Sequence, residues 1–298
     1  MLDRAEHTTL YSRSAEEGSM LGFAGSGVSE VGLVRVHNED SGYVGRSVAV
    51  VADGVGGAAA GEVASATAVD ALVSCWRACW FAAGPPDALE ARVAAATDAA
   101  RAAVRFAVQR DLNRLGMSTT LTVVACDGAQ VALGHVGDSR AYRWRDGVLT
   151  QLSGDHTYAE QLRRTSRVSA AVLATHPWRK VVLRTLDGDP ADAGPDIAVA
   201  DVRAGDRLLL CTDGLSDLVD DEAIAGTLRE GAAAQAVTAL VHAALAAGGR
   251  DNITCVVLDL VDIDEAEASA ASPRGPGLLL GAVRDGANVV SPTHTWNA

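Results

Sequence analysis

Positive charge is scarce in this chain. Its 298 residues carry 25 Lys and Arg against 38 Asp and Glu, a formal net charge of -13, with an isoelectric point near 4.9. That balance disfavours nucleic acid or an anionic membrane as the main partner, although solubility alone also selects acidity. Long apolar runs are missing as well. None reaches the ~18 residues of a membrane helix, and the alanine-rich stretch 232–247 is broken by Gln235, Thr238 and His242. Residues 1–19 have no apolar core of the kind a secretory signal needs, so a soluble, cytoplasmic protein is expected. Cysteines are few and odd in number: Cys75, Cys79, Cys126, Cys211 and Cys255, all in apolar segments. They read as reduced, buried thiols rather than a disulfide framework. Cys75 and Cys79 have the i, i+4 spacing that could hold a metal, but no second Cys or His pair completes such a site. Internal repeats and Pro/Gly/Ser linkers are absent between about residues 21 and 262, which predicts a single domain there.

What is present reads as alternating short strands and longer helices. Residues 1–20 are polar and expected to be flexible, and 263–298 lose periodicity and gain Pro, Gly and Ser, which predicts a disordered tail. Apolar or β-branched runs predict strands at 48–52, 119–126, 130–136, 140–144, 181–186, 197–202, 207–211 and 253–260. The turns at 127–130 and 145–148 make 119–152 an expected antiparallel meander. Two long amphipathic helices are predicted. Val63, Ala66, Val69, Leu72, Val73, Trp76 and Trp80 form the apolar face of 60–82, and Leu89, Val93, Ala96, Ala100, Val104 and Val108 that of 87–112. Further helices are expected near 155–165, 215–230 and 232–247. Antiparallel strands with helices grouped between them point to an α+β sandwich rather than a doubly wound parallel sheet.

The stretch "SVAVVADGVGGAAAGE", residues 47–62, sets Asp53 at the end of a strand and then spends three of the next four positions on glycine. Gly54 to Ala59 formally fit G-x-G-x-x-A, but a dinucleotide fold needs a second strand ending in an acidic residue about 20 positions on. Asp70 lies instead within a predicted helix, and no Gly-Lys-Ser/Thr completes a P-loop. A plain Asp-Gly turn would account for one such motif. The design recurs, however. Asp213 follows the strand "RLLLCT", Asp138 ends "LGHVG", Asp251 precedes "NITCVV", and Glu39 and Asp40 are adjacent in "VHNEDSG". Carboxylates gathered at strand ends repel one another unless cations hold them, and an all-oxygen set without Cys or His suits Mg²⁺ or Mn²⁺.

These segments resemble, in order, the motifs of the metal-dependent serine/threonine protein phosphatases (PPM, or type 2C), bacterial type. The matches are "SEVGLVRVHNEDS", "VADGVGG", "MSTTLT", "GHVGDSRAY", "DHTYAEQL", "THPWRKVVLRTLDG", "LCTDGLSD" and "GGRDNITCVV", spanning about residues 22–261. The resemblance implies a four-layer α-β-β-α sandwich of two antiparallel sheets flanked by helices. It implies hydrolysis of phosphoserine or phosphothreonine by a water activated between two Mn²⁺ or Mg²⁺ ions. By the same carry-over Asp53 bridges both ions and Gly54 contributes a carbonyl. Asp213 and Asp251 complete one shell, Glu39 and Asp40 serve the other, and Asp138 with Asp213 holds a third, weaker ion. Arg35 stands at the family's phosphate-binding arginine, where a planar guanidinium can clamp two oxygens. Asn252 is expected to orient Asp251 or, equally, to cap a turn. Phosphorylated proteins made by serine/threonine kinases are the implied partners, and a monomer is expected.

The chain departs from the family at three points: Ala58 replaces a histidine after the glycine pair, Ser118 a glycine, and Lys180 an asparagine. Residues 153–180, a flap over the cleft in relatives, are therefore expected to have their own substrate preference. His135, His156 and His176 read as structural. The alternative to an active enzyme is a weakly active or non-catalytic phosphoprotein-binding module of the same fold.

Overall fold

The computed structural model describes residues 20–55, 60–80, 88–165, 168–189, 194–263 and 277–291. In chain order the strands and helices begin with β1 (Met20–Glu30), β2 (Asp40–Val44), β3 (Val48–Val55), α1 (Gly61–Trp80) and α2 (Leu89–Arg110). Next come β4 (Ser118–Thr119), β5 (Leu121–Cys126), β6 (Val131–Val136), β7 (Arg140–Arg145), β8 (Val148–Gln151), α3 (Tyr158–Thr165) and α4 (Ala170–Thr175). The remainder is β9 (Asp196–Val199), β10 (Arg207–Cys211), α5 (Asp213–Ser216), α6 (Asp221–Leu228), α7 (Ala233–Ala246), β11 (Ile253–Ile263) and β12 (Leu278–Gly281).

The two-residue period of the strands sorts side chains into separate cores. Along β3, Val48, Val50 and Ala52 pack toward α1 and α2, while Ala49 and Val51 point the other way. Along β10, Leu209 and Cys211 face α6 and α7, while Leu208 and Leu210 join Ala49 and Val51 in a shared core. Three cores therefore separate four layers, and strands covered on both faces read as unbroken apolar runs. One sheet has the order β1-β11-β10-β7-β8 and the other β12-β2-β3-β5-β6-β9, with β4 paired to β3. Every pairing of named strands among the described residues is antiparallel. The expected α-β-β-α sandwich is what forms.

On α1, Val63, Ala66, Val69, Leu72, Val73 and Trp76 are buried as their spacing predicts; the side chain of Trp80 lies outside the described residues. The face of α2 is likewise buried, with Val108 at its partly exposed end.

Three expectations need correction. Residues 119–152 are not one meander: the hairpins β5–β6 and β7–β8 belong to different sheets. The chain changes sheet at Gly137–Ser139, where Gly137 has φ +111°. Residues 181–186 form no strand, only isolated bridges pairing Val182 with Thr157 and Leu186 with Thr119. The expected disordered tail is overturned at 277–291, where β12 pairs with β2 and buries Leu280, Ala282 and Val283.

Candidate metal centre

The carboxylates come together because strand ends from both sheets meet at one end of the sandwich. Asp40 opens β2 and lies opposite Asp53 in the β2–β3 ladder. Asp213 opens α5 directly after β10, Asp251 immediately precedes the turn into β11, and Asp138 sits at the sheet crossover between β6 and β7. Asp40 also ties the sheets together, since its Oδ2 accepts a hydrogen bond from the Thr212 hydroxyl at 2.8 Å. Thr212 in turn accepts from the backbone N–H of Thr254 at 3.0 Å.

The electrostatics are those of a site built for cations. Burial raises Asp40 to about 7, with further repulsion from Asp213 and Asp251. Asp138 is also raised to about 7, by burial and then by Asp213. Asp213 is lifted to about 6 by burial and Asp217. Asp53 is driven well above the ordinary carboxylate range by burial and by Asp40, Asp213, Asp138 and Asp251. Glu39 is raised by burial and by Glu62. In each case burial is the larger cause and neighbouring acids add to it.

The other Asp40 carboxylate oxygen, Oδ1, is buried with no hydrogen-bond partner. An orphaned anionic oxygen among mutually repelling acids, with oxygen donors throughout, fits hard divalent cations. Among the described residues, no three acidic, histidine or cysteine side chains form a closed ligand set.

Much of the surrounding polar structure serves to aim these groups. The Asp53 N–H donates to the Thr120 hydroxyl at 2.9 Å, and its carbonyl accepts from the Thr119 hydroxyl at 2.9 Å. Gly54 has no room for a side chain, because a Cβ would lie 2.3 Å from the carbonyl oxygen of Gly61. The Asn252 side chain accepts from the Glu39 N–H at 2.8 Å and donates to the carbonyls of Val31 and His37, both at 2.9 Å. It therefore shapes the loop carrying Arg35 and Glu39, while Asn252 itself meets Asp251 through its backbone N–H, which donates to Oδ1 at 2.8 Å. This corrects the role expected of the Asn252 side chain. The roles of Thr119, Thr120 and Thr212 are not legible in the sequence, although "MSTTLT" stands out there as a motif.

Arg35 is half exposed and places Nη2 2.7 Å from Asp251 Oδ2. That bond, and to a smaller extent Glu39 and Asp53, hold its guanidinium protonated. Beside Asp138 and Asp213 a cavity of about 320 Å³ is lined also by Arg140, Arg179, Lys180 and Asp217. Lys180 makes an ion pair with Asp217. Ser118 is buried in β4, its hydroxyl 3.4 Å from the Val55 carbonyl. Ala58 lies outside the described residues. Of the eight predicted site residues, Asp138 and Asp213 line this cavity; Asp40, Asp53, Asp213 and Asp251 lie near enough to one another to interact electrostatically, Arg35 pairs with Asp251, and the Gly54 N–H donates to the Glu39 carbonyl at 3.1 Å.

Residues 36–249 match the family model for protein phosphatase 2C. A serine/threonine protein phosphatase of Mycobacterium tuberculosis, PstP, is 42% identical over 236 residues, 79% of this chain and 45% of that protein. The chain thus spans about half the length of the mycobacterial relatives it matches. The serine/threonine phosphatase stp of Listeria monocytogenes is 31% identical over 234 residues, 76% of this chain and 92% of that protein. The crystal structure of the PstP catalytic domain with two manganese ions has a TM-score of 0.72 and 39% identity, covering 81% of this chain and 100% of that one. Among the described residues no helix is long and apolar enough to cross a membrane.

Proposed function

The chain belongs to the protein phosphatase 2C family, and from that premise we propose that it hydrolyses phosphoserine and phosphothreonine in proteins at the carboxylate cleft. The observation that carries this reading is the buried, unpartnered Oδ1 of Asp40 among neighbouring acids, several of which are raised above the ordinary carboxylate range by burial and, secondarily, by one another. Asp53 would span two Mn²⁺ or Mg²⁺ ions, Gly54 would lend its carbonyl, and Asp213 and Asp251 would complete one shell. Glu39 and Asp40 would serve the other, while Asp138 and Asp213 would hold a third, weaker ion. When bound, such a pair supplies Lewis acidity and an activated water as nucleophile.

The protein's own groups do the rest. Arg35, one prong on Asp251, turns its remaining N–H groups to the phosphate and fixes the orientation of the ester. Asn252 holds the loop that carries Arg35, and Thr119 and Thr120 hold the Asp53 backbone in place. The substrates are proteins phosphorylated by serine/threonine kinases, met by a monomer in the cytoplasm; five unpaired thiols agree with a reducing compartment.

The deciding experiment is release of phosphate from a phosphothreonine peptide with Mn²⁺, with chelator, and with Asp53→Asn. Metal-dependent turnover lost in the variant is expected. A folded wild-type protein that binds the phosphopeptide without turnover at saturating Mn²⁺ rejects the proposal for the binding-module alternative.

A further inference from the structure

Resting on the metal-dependent reading above, we propose that His156 is a positioning residue for Asp138: it clamps Gly137 and thereby aims the carboxylate at the weaker cation position beside Asp213. His156 is buried and lies outside the carboxylate ring. Its contacts with Gly137 run both ways. The Gly137 N–H donates to His156 Nδ1 at 3.1 Å, and the His156 N–H donates to the Gly137 carbonyl at 2.7 Å.

Gly137 is the residue at which the chain leaves one sheet for the other. Its φ of +111° suits glycine, and a Cβ would stand 2.6 Å from Thr120 Cβ. Thr120 is the same residue that accepts from the Asp53 N–H at 2.9 Å. Asp138 therefore departs from a turn pressed on one side against the support of Asp53 and held on the other by His156.

The tautomer follows from the partners. An amide N–H can only donate, so Nδ1 is the acceptor and the neutral imidazole carries its proton on Nε2. Nε2 then donates to Asp196 Oδ2 at 3.1 Å. Arg184 Nη1, 2.9 Å from Nε2, also only donates, so its productive bond is to Asp196 Oδ1 at 2.9 Å. Burial keeps the ring neutral by lowering its pKa, and the neighbouring His135 ring, 4.9 Å away, is itself pushed down to about 4. A positive charge on His156 would set Nδ1–H against the Gly137 N–H.

His156 also marks the base of the flap. Its carbonyl accepts from the Leu183 N–H at 2.7 Å, and Thr157 bridges to Val182. One residue thus joins the flap base, the sheet crossover and the direction of Asp138. An outer group that orients a metal ligand commonly changes metal affinity about 10–100-fold when lost.

The two ends of the imidazole can be tested separately. His156→Asn places an amide oxygen near the Nδ1 position and keeps an acceptor for Gly137 while dropping the link to Asp196. His156→Gln reaches toward Asp196 but leaves the Gly137 N–H without its acceptor. Mn²⁺ is titrated into each metal-free protein by calorimetry and by electron paramagnetic resonance, with melting temperatures measured alongside. The expected result is loss of affinity at the weakest site by about tenfold or more in His156→Gln, near-wild-type affinity there in His156→Asn, and unchanged tight sites in both. Wild-type binding in a folded His156→Gln overturns the inference, as does equal weakening in both variants that tracks melting temperature. Absence of a weak site in the wild type overturns it as well. The expected pattern of binding with no phosphopeptide hydrolysis by the wild type rejects the phosphatase reading alone.

Discussion

At Asp53 two roles pull in opposite directions, and a single substitution separates them. In the metal-free protein the Asp53 carboxyl is a source of repulsion, held well above its ordinary pKa by burial and by Asp40, Asp213, Asp138 and Asp251. Asp53→Asn keeps the shape and removes the charge. The metal-free variant should therefore melt at or above the wild-type temperature, while turnover with Mn²⁺ falls by at least about a hundredfold if Asp53 holds the proposed position between two ions. Near-normal phosphate release by the folded variant would remove Asp53 from the bridging position. Arg35 allows a complementary experiment. Lysine can retain a point charge beside Asp251 but not the flat, two-pronged donor set. Arg35→Lys is expected to lower kcat/KM by about tenfold or more with Mn²⁺ affinity within about twofold of wild type. A matching loss of Mn²⁺ affinity, seen by calorimetry, would make Arg35 part of the metal scaffold instead.

Among the elements, β12 has the most to say about how the site is braced. Leu280 is buried in the core between the sheets, whereas Gly281, next in sequence, has φ +68° and would bring a Cβ within 2.1 Å of the Asp40 carbonyl oxygen. The Val283 N–H donates to the Ser41 hydroxyl at 3.1 Å. Leu280→Ala should cost about 2–5 kcal/mol of stability and leave Mn²⁺ affinity alone. Gly281→Ala must push β2 away and should weaken Mn²⁺ binding beyond what its stability loss explains. Denaturant unfolding and Mn²⁺ titration of both variants give the comparison; an unaltered Mn²⁺ isotherm in Gly281→Ala would show that β12 does not brace Asp40.

The tail's ordered segment is invisible in the sequence for a physical reason: four residues flanked by Pro, Gly and Ser become a strand only against the open edge of β2. β1 is hidden similarly. Gly22, Gly25 and Gly27 break its alternation, yet a Cβ at Gly25 would lie 2.8 Å from the Val257 carbonyl oxygen, and one at Gly27 2.4 Å from Leu280 Cδ1. By contrast α1, α2, β3, β10 and β11 are legible, because their apolar residues repeat with one local period. The carboxylates are legible too, as the recurring acid at a strand end. Their supports are not, since Asn252 reaches the Val31 carbonyl across 221 positions of chain. The two hairpins are readable from their Asp-Gly turns, but the change of sheet at Gly137 depends on contacts that no local pattern encodes.

For the molecule as a whole, the acidic cleft makes stability depend on pH in a direction unusual for a protein rich in carboxylates. Asp40 and Asp138 titrate near 7 and Asp213 near 6 in the folded chain, against an ordinary value of 3.8. The folded state therefore binds these protons more tightly than the unfolded state does. Their contribution to stability is fully present below about pH 4 and is lost as pH rises through about 6 to 7. Surface pairs act in the opposite sense: Asp196, for example, is held below its ordinary value by Arg184 and His156 despite burial, and its contribution fades only as the solution becomes strongly acidic. His135 and His156, lowered by burial, oppose the trend up to about pH 6.5, but the more numerous raised carboxylates outweigh them between pH 5 and 7.5, so the metal-free protein is expected to melt at lower temperature at the end of that interval than at its start. Divalent cations should reverse the trend, because they bind the deprotonated carboxylates and only in the folded chain. At a Mn²⁺ concentration about 100 times the dissociation constant, one site adds about 2.7 kcal/mol, or roughly 4–6 °C in melting temperature for a chain of this size. Mn²⁺ added near pH 6.5 in weak buffer should also release protons. Thermal unfolding from pH 5 to 7.5, with chelator and with Mn²⁺, measures both effects. A metal-free melting temperature that stays level or rises over that range would mean that the carboxylates are not crowded as the fold arranges them, and the case for a cation-holding cleft would fall with it.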